Sequence, residues 1–164
     1  MSVFATVGTT QFDKLIETLL TDDVLGALAR HGYHTLRLQV GRGAEPAVPA
    51  KAPIHIEWYR FKPSLQEDMA GASLLISHAG AGSILEGMRL RARMVVVVND
   101  ALMDNHQTEL ADELADRDHC LGTTPSRLLA TLEDLAARKT PFEVFPPADT
   151  EAFPRLLDAQ LGLA

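Results

Sequence analysis

A chain of 164 residues is long enough for one domain with a real core and too short for two ordinary ones, and 46% apolar with 23% charged residues is a globular rather than a disordered composition. A net charge of −7 leaves no dominant basic stripe, which argues against nucleic-acid binding but leaves room for a local site for one small anion. Cys120 is the single cysteine, so no internal disulfide forms and a reducing compartment fits. "MSVFATVGTT" has no basic region before its apolar run and does not read as a signal peptide, and "MVVVV" is far too short to span a bilayer.

Val3 to Val7 is a β-prone run ending at Gly8, and Phe12, Leu15, Ile16 and Leu19 then recur at helical intervals. Val24 to Arg30 continues in helix and Gly32 stops it. "TLRLQV" alternates as a second strand closed by "GRG", "AEPAVPAKAP" is a loop, and "IHIEWY" is a third strand. Ser64 followed by Glu67 reads as a capping box for a short helix to Ala70. "SLLIS" is the fourth strand, Ser83 to Arg89 a helix, and "MVVVV" a strand buried on both faces. Asp104 to Arg117 is an amphipathic helix, "HCLG" a last short strand, and Ser126 to Ala137 a helix. The Pro-rich "TPFEVFPPADT" leads into a final helix bearing Phe153, Leu156, Leu157 and Leu161.

Strands alternating with helices predict an α/β fold, a parallel sheet with helices on both faces forming one domain over residues 1–164. Ligands of such sheets bind outside the carboxyl ends of the strands. The loops to inspect are therefore "GTTQ", "RFK", "HAGAGS" and "NDALMDNHQ".

In "HAGAGS", Gly80 and Gly82 remove Cβ atoms where backbone N–H groups would face outward at a helix start, an arrangement suited to an anion. The alternative is a tight turn with glycines for packing. The motif is neither the dinucleotide fingerprint, since Leu85 replaces its third glycine, nor a Walker A loop. Ser83 and Glu86 fit S-x-x-E, so spacing alone favours a capping box for Glu86 over a pair of ribose hydroxyls. His78 and His106 stand on neighbouring strand-end loops as candidate donors to phosphate or sugar, and Gln107 follows Asp104 at N-cap spacing. Thr9 and Thr10 lie beside a helix start, where capping and phosphate contact use the same geometry. Asp116-Arg117-Asp118 spells a D-x-D but falls at the back of a helix and reads as solvated charge; no other cluster has metal-ligand spacing.

Together "VFATVGTTQFDKLI", "LQVGRG", "SLQEDMAGASLLISHAGAGSILEG" and "MVVVVNDALMDNHQTELADEL" resemble, in order and spacing, the catalytic-subunit family of the UDP-N-acetylglucosamine (UDP-GlcNAc) transferase of dolichol-linked oligosaccharide synthesis. That family is similar in turn to the C-terminal, donor-binding half of the bacterial lipid II-type transferase. The resemblance implies a glycosyltransferase family 28 C-terminal domain, a Rossmann-like half of the two-domain GT-B architecture. It places Thr10 and Gln11 on the diphosphate side, Phe61 and Lys62 in the loop whose main chain reads uracil, and Ala79, Gly80, Ala81, Gly82 and Ser83 facing the diphosphate. It assigns Glu86 to the ribose, reversing the spacing-only reading, and His106 and Gln107 to the sugar. Both of the last two are glutamine in the bacterial relative, from which His106 departs.

The implied reaction is inverting transfer of GlcNAc from UDP-GlcNAc to GlcNAc-diphosphodolichol, giving a β1,4 link, with no metal or other cofactor in this domain and the general base outside this chain. The implied partner is a membrane-anchored acceptor-side subunit that brings the lipid-linked acceptor and recruits this chain to the cytosolic face of the endoplasmic reticulum. The helix at about 151–161 is the candidate docking element, packing on its own sheet being the alternative. The rivals are a split bacterial-type polysaccharide glycosyltransferase subunit using another UDP-sugar, and a non-catalytic nucleotide-binding module.

Overall fold

The computed structural model describes residues 1–100 and 105–147, with backbone only for 105–107. Asp104, the loop ahead of it and the predicted docking helix lie outside the described residues. Among these, strands β1 (Ser2–Thr6), β2 (Thr35–Gln39), β3 (His55–Tyr59), β4 (Leu74–His78), β5 (Met94–Val97) and β6 (Leu121–Thr123) form one sheet in the order β3-β2-β1-β4-β5-β6, every pair parallel. The helices are α1 (Asp13–Leu19), α2 (Asp22–Arg30), α3 (Gln66–Ala70), α4 (Ala81–Arg89), α5 (Asn105–Asp116) and α6 (Leu128–Ala137), the last entered by a 3₁₀ turn at Pro125–Arg127.

Side-chain alternation sorts the central strands onto two cores. Val3, Ala5, Leu74, Ile76, Val95 and Val97 pack with α1, α2 and α6. Phe4, Leu75, Met94 and Val96 pack on the other face with Met69 of α3, Ile84 and Met88 of α4, and Ala111 and Leu114 of α5. Both faces of β4 and β5 are therefore covered, which is why these strands read as continuous apolar runs. Full burial of each such side chain contributes about 1.5–3 kcal/mol.

The predicted continuous helix over 12–30 is two helices. Thr21 is extended (φ −69°, ψ 149°) as the N-cap of α2, its hydroxyl donates to the Thr18 carbonyl at 2.8 Å, and Asp22 and Asp23 occupy the first turn. Ser64 takes the Gln66 N–H on its Oγ at 3.2 Å, but α3 starts at Gln66 after Leu65, and the reciprocal half of the predicted box, Glu67 reaching back to Ser64, is not formed.

The strand order reverses between β1 and β4, which lie side by side while β1 leads away through α1 and α2 to β2 on its other edge. In open α/β sheets such a switch opens a crevice at the carboxyl ends.

Candidate functional site

The crevice is present as a cleft of about 590 Å³, within the range of small-molecule sites. It is lined by the ends of four strands and the start of α4. Gly8 and Thr9 come from β1, Gln39 from β2, the stretch Phe61–Leu65 from β3, and His78 from β4, followed by Gly80, Ala81, Gly82, Ser83 and Glu86.

Gln39, 2% exposed, holds three of these strand ends together. Its Nε2 donates to the carbonyls of Gly8 at 2.7 Å and Arg60 at 2.6 Å, and its Oε1 accepts from Gly8 N–H at 2.9 Å and the Thr6 hydroxyl at 2.5 Å. Both donors and both acceptor positions of that amide are thus used on the floor of the cleft.

The His78 ring is wedged between two glycines. A Cβ on Gly80 would stand 2.2 Å from Nε2, and one on Gly8, whose φ is +63°, 2.7 Å from Cε1. The ring is 8% exposed, and its Nδ1 is buried without a hydrogen-bond partner among the described residues. Burial holds its pKa below the usual imidazole value, with the nearby Thr6 backbone opposing in part. The imidazole is therefore neutral at pH 7.

Gly80 is extended (φ −89°, ψ 123°) and serves as the N-cap of α4 without any side-chain cap. Its N–H goes to the His78 carbonyl and its carbonyl accepts from Ile84. Among the described residues the N–H groups of Ala81, Gly82 and Ser83 have no acceptor, so the positive end of α4 opens onto the cleft. A Cβ on Gly82 would meet nothing within 4 Å. Gly82 is thus not required by packing, and its missing side chain leaves open space in front of those amides.

The capping-box reading of Glu86 fails. The helix begins two residues before Ser83, so Glu86 falls in the second turn and lines the cleft, half-buried, with no hydrogen-bond or ionic partner among the described residues. Lys62 lines the opposite wall, but its ammonium lies 2.8 Å from Asp68 and 4.3 Å from the Tyr59 ring centroid. Phe61 beside it is 53% exposed.

Of the residues singled out in the sequence, Thr9, Phe61, Lys62, His78, Gly80, Ala81, Gly82, Ser83 and Glu86 come together on this lining. Three do not. The Thr10 hydroxyl donates back to the Val7 carbonyl at 2.8 Å, the Gln11 amide donates to Asp13 at 2.6 Å, and Ala79 is buried in the α4 core with its N–H on Val97. His106 and Gln107 belong to α5 by backbone, and their side chains lie outside the described residues. Gly8 stands in the "GTTQ" loop marked in the sequence, whereas Gln39, Pro63, Ser64 and Leu65 are lining residues that the sequence does not mark. The sequence signal for Gln39 is limited to a polar residue at the carboxyl end of a strand.

The D-x-D carboxylates are remote from this rim. Asp118 pairs with Arg138, and Arg117 with Glu113 within α5 and its C-terminal extension. Among the described residues no group of three or more His, Cys, Asp or Glu side chains is placed to hold a metal ion, and no helix is long and apolar enough to cross a membrane.

Comparison with known proteins places the chain in a family. The family described as glycosyltransferase family 28 C-terminal domain matches residues 2–158. The mouse UDP-N-acetylglucosamine transferase subunit ALG13 is 47% identical over 117 residues, 71% of this chain, which spans only 10% of that relative's length. The subunit of the same name from Yarrowia lipolytica is 33% identical over 157 residues, covering 93% of this chain and 80% of the relative. An NMR solution structure of ALG13 superposes with a TM-score of 0.68 at 27% identity, covering 95% of this chain and 94% of that one. With its parallel Rossmann-like sheet and strand-end cleft, this chain belongs to the glycosyltransferase family 28 C-terminal domains and has the fold of one half of the GT-B architecture.

Proposed function

We propose that the chain is the donor-binding, catalytic subunit of a heteromeric inverting N-acetylglucosaminyltransferase, moving GlcNAc from UDP-GlcNAc to GlcNAc-diphosphodolichol. The observation that carries this reading is the pairing, on one cleft wall, of three α4 N–H groups with the Glu86 carboxylate one turn further on, all without a partner among the described residues. A nucleoside diphosphate-sugar needs both. The diphosphate takes the amides, and the ribose hydroxyls donate to the carboxylate. The names carried by the mouse and Yarrowia relatives support a UDP-GlcNAc donor and a subunit role.

In the proposed reaction the acceptor's 4-hydroxyl oxygen attacks the anomeric carbon from the face opposite UDP. The new C–O bond forms as the bond to the β-phosphate oxygen breaks, and UDP leaves with the electron pair. Amides fixed at a helix N-terminus stabilise that charge as it grows, with no rearrangement at the moment of reaction. The neutral, buried His78 adds a compact polar wall beside them. The hydroxyl's proton goes to a base on the acceptor side, supplied by a membrane-anchored partner at the cytosolic face of the endoplasmic reticulum. The donor side requires no metal in this mechanism.

The test is reconstitution with an acceptor-side subunit and assay of GlcNAc transfer, together with calorimetric titration of UDP-sugars. Glu86→Ala should weaken UDP-GlcNAc binding by ~1–3 kcal/mol while the unfolding temperature stays put. Tighter binding of UDP-galactose than of UDP-GlcNAc would instead favour a polysaccharide transferase subunit. Nucleotide binding without transfer in the assembled complex would favour a non-catalytic module.

A further inference from the structure

On the face of the sheet shared with α3, β2 and β3 are covered by a polar cluster centred on Asp68. Its side chain is 5% exposed although it belongs to a five-residue surface helix. Oδ1 accepts from Arg37 Nη1 at 2.6 Å, and Oδ2 accepts from Lys62 Nζ at 2.8 Å and from the Tyr59 hydroxyl. Arg37 is in turn held by Glu57, its register partner across the β2–β3 pair, with Nε 2.6 Å from Oε1.

One buried carboxylate thus ties together α3, the middle of β2, the last residue of β3 and the loop that follows it. A buried carboxylate is costly unless paired and fully hydrogen-bonded. Here burial pushes the Asp68 pKa up, and Lys62, Tyr59 and Arg37 together outweigh it and hold the group below the ordinary carboxylate value. The anion is the stable form, and both its oxygens are used.

The loop so anchored is the β3 wall of the cleft. Phe61 and Lys62 line it, and Ser64 and Leu65 lead from it into α3, which carries Asp68 itself. This wall is three strands from β4, on the order of 14 Å across the sheet, and the α4 amides, without an acceptor among the described residues, lie at the β4 end. The two ends of a nucleotide would therefore meet different supports.

We infer that Asp68 is a positioning residue for the base-facing wall of the nucleotide site: through Lys62 and Tyr59 it fixes the loop 61–65, and so sets selectivity for the base without touching the ligand. The inference rests on the reading of the cleft as a UDP-sugar site. Losing the charge leaves Lys62 and Arg37 competing for a neutral group, and frees the loop while α4 keeps its place.

The test uses the full chain with Asp68→Asn, titrated with UDP and, by competition, with ADP, alongside thermal unfolding. The expected result is a fall of about tenfold in UDP affinity with little change for ADP, so that the preference for uracil narrows. Unchanged UDP affinity overturns the inference. So does equal weakening of both nucleotides in step with a lower unfolding temperature, the mark of a merely structural role. If Asp68→Asn does not fold, Tyr59→Phe removes one donor to Oδ2 and keeps the ring. It should narrow the preference for UDP at an unchanged unfolding temperature, and an unaltered preference overturns the inference equally. A wild-type chain that binds neither nucleotide would remove the UDP-sugar reading itself, a result distinct from a selective or absent effect in the variants.

Discussion

Two glycines two positions apart, Gly80 and Gly82, have opposite reasons for being there. At Gly80 a methyl would be driven to 2.2 Å from the His78 ring, whose other side is closed by Gly8 at 2.7 Å, so the ring cannot step aside. At Gly82 a methyl would meet nothing within 4 Å and would stand in the open cleft before the α4 amides. Gly80→Ala should therefore destabilise the fold by about 1–3 kcal/mol, the usual cost of overpacking. Gly82→Ala should leave the unfolding temperature unchanged or raise it slightly, since alanine favours helix over glycine by up to about 1 kcal/mol. It should nevertheless weaken UDP binding by blocking close approach to the backbone. Calorimetric unfolding and nucleotide titration of the two variants separate these effects, and a Gly82→Ala chain that binds UDP like the wild type would place the phosphates elsewhere.

The strand ends are joined by a side chain rather than by sheet hydrogen bonds alone. Gln39→Ala removes four hydrogen bonds at once and leaves the Gly8 and Arg60 carbonyls facing a void. It should lower stability by about 1–3 kcal/mol, read as an earlier urea midpoint, and weaken nucleotide binding because the β1 and β3 loops lose their common tie. Of that role "TLRLQV" shows only a polar residue at the strand's carboxyl end. Alternation is a local signal, and it located the strand, but burial of Gln39 is created by β1 and β3 arriving on its two sides. The same limit explains Asp68, whose partner Arg37 is 31 residues away and whose sequence context is only a short acidic helix. Runs such as Leu74-Leu75-Ile76 and Met94 to Val97 were legible because a parallel strand buried on both faces needs no alternation. Helix boundaries were less so. The S-x-x-E spacing at 83–86 is real, but Gly80 takes the extended cap conformation first, and the helix starts two residues early. At Leu20–Thr21 the apolar spacing runs on unbroken, while the capping sequence Thr-Asp-Asp marks the new start of α2.

The cleft and the core share a proton-linked group, so acid should be felt by the fold before it reaches the carboxylates. The unfolded chain takes up a proton at His78 near pH 6.5, whereas the folded chain resists until its depressed pKa is reached, because the ring is buried. In that window the unfolded state binds more protons, so stability is complete above pH 6.5 and declines as pH falls from there toward the folded value. Each unit of depression accounts for about 1.4 kcal/mol. Asp68 acts in the same direction but later. Its folded pKa lies below the unfolded 3.8, so its contribution is intact above that value and is lost only as pH falls through the folded one. Two separate losses are therefore expected on acidification, the first from the rim beside α4 and the second from the polar cover of β2 and β3. Urea midpoints collected from about pH 8 to pH 4 on the wild type and on His78→Gln would resolve the first. The wild-type midpoint should fall below pH 6.5, and the variant should be flatter through the same interval. Parallel curves would mean that His78 is as free to ionise in the fold as in the unfolded chain, and that Nδ1, without a partner among the described residues, gains a proton acceptor when it needs one.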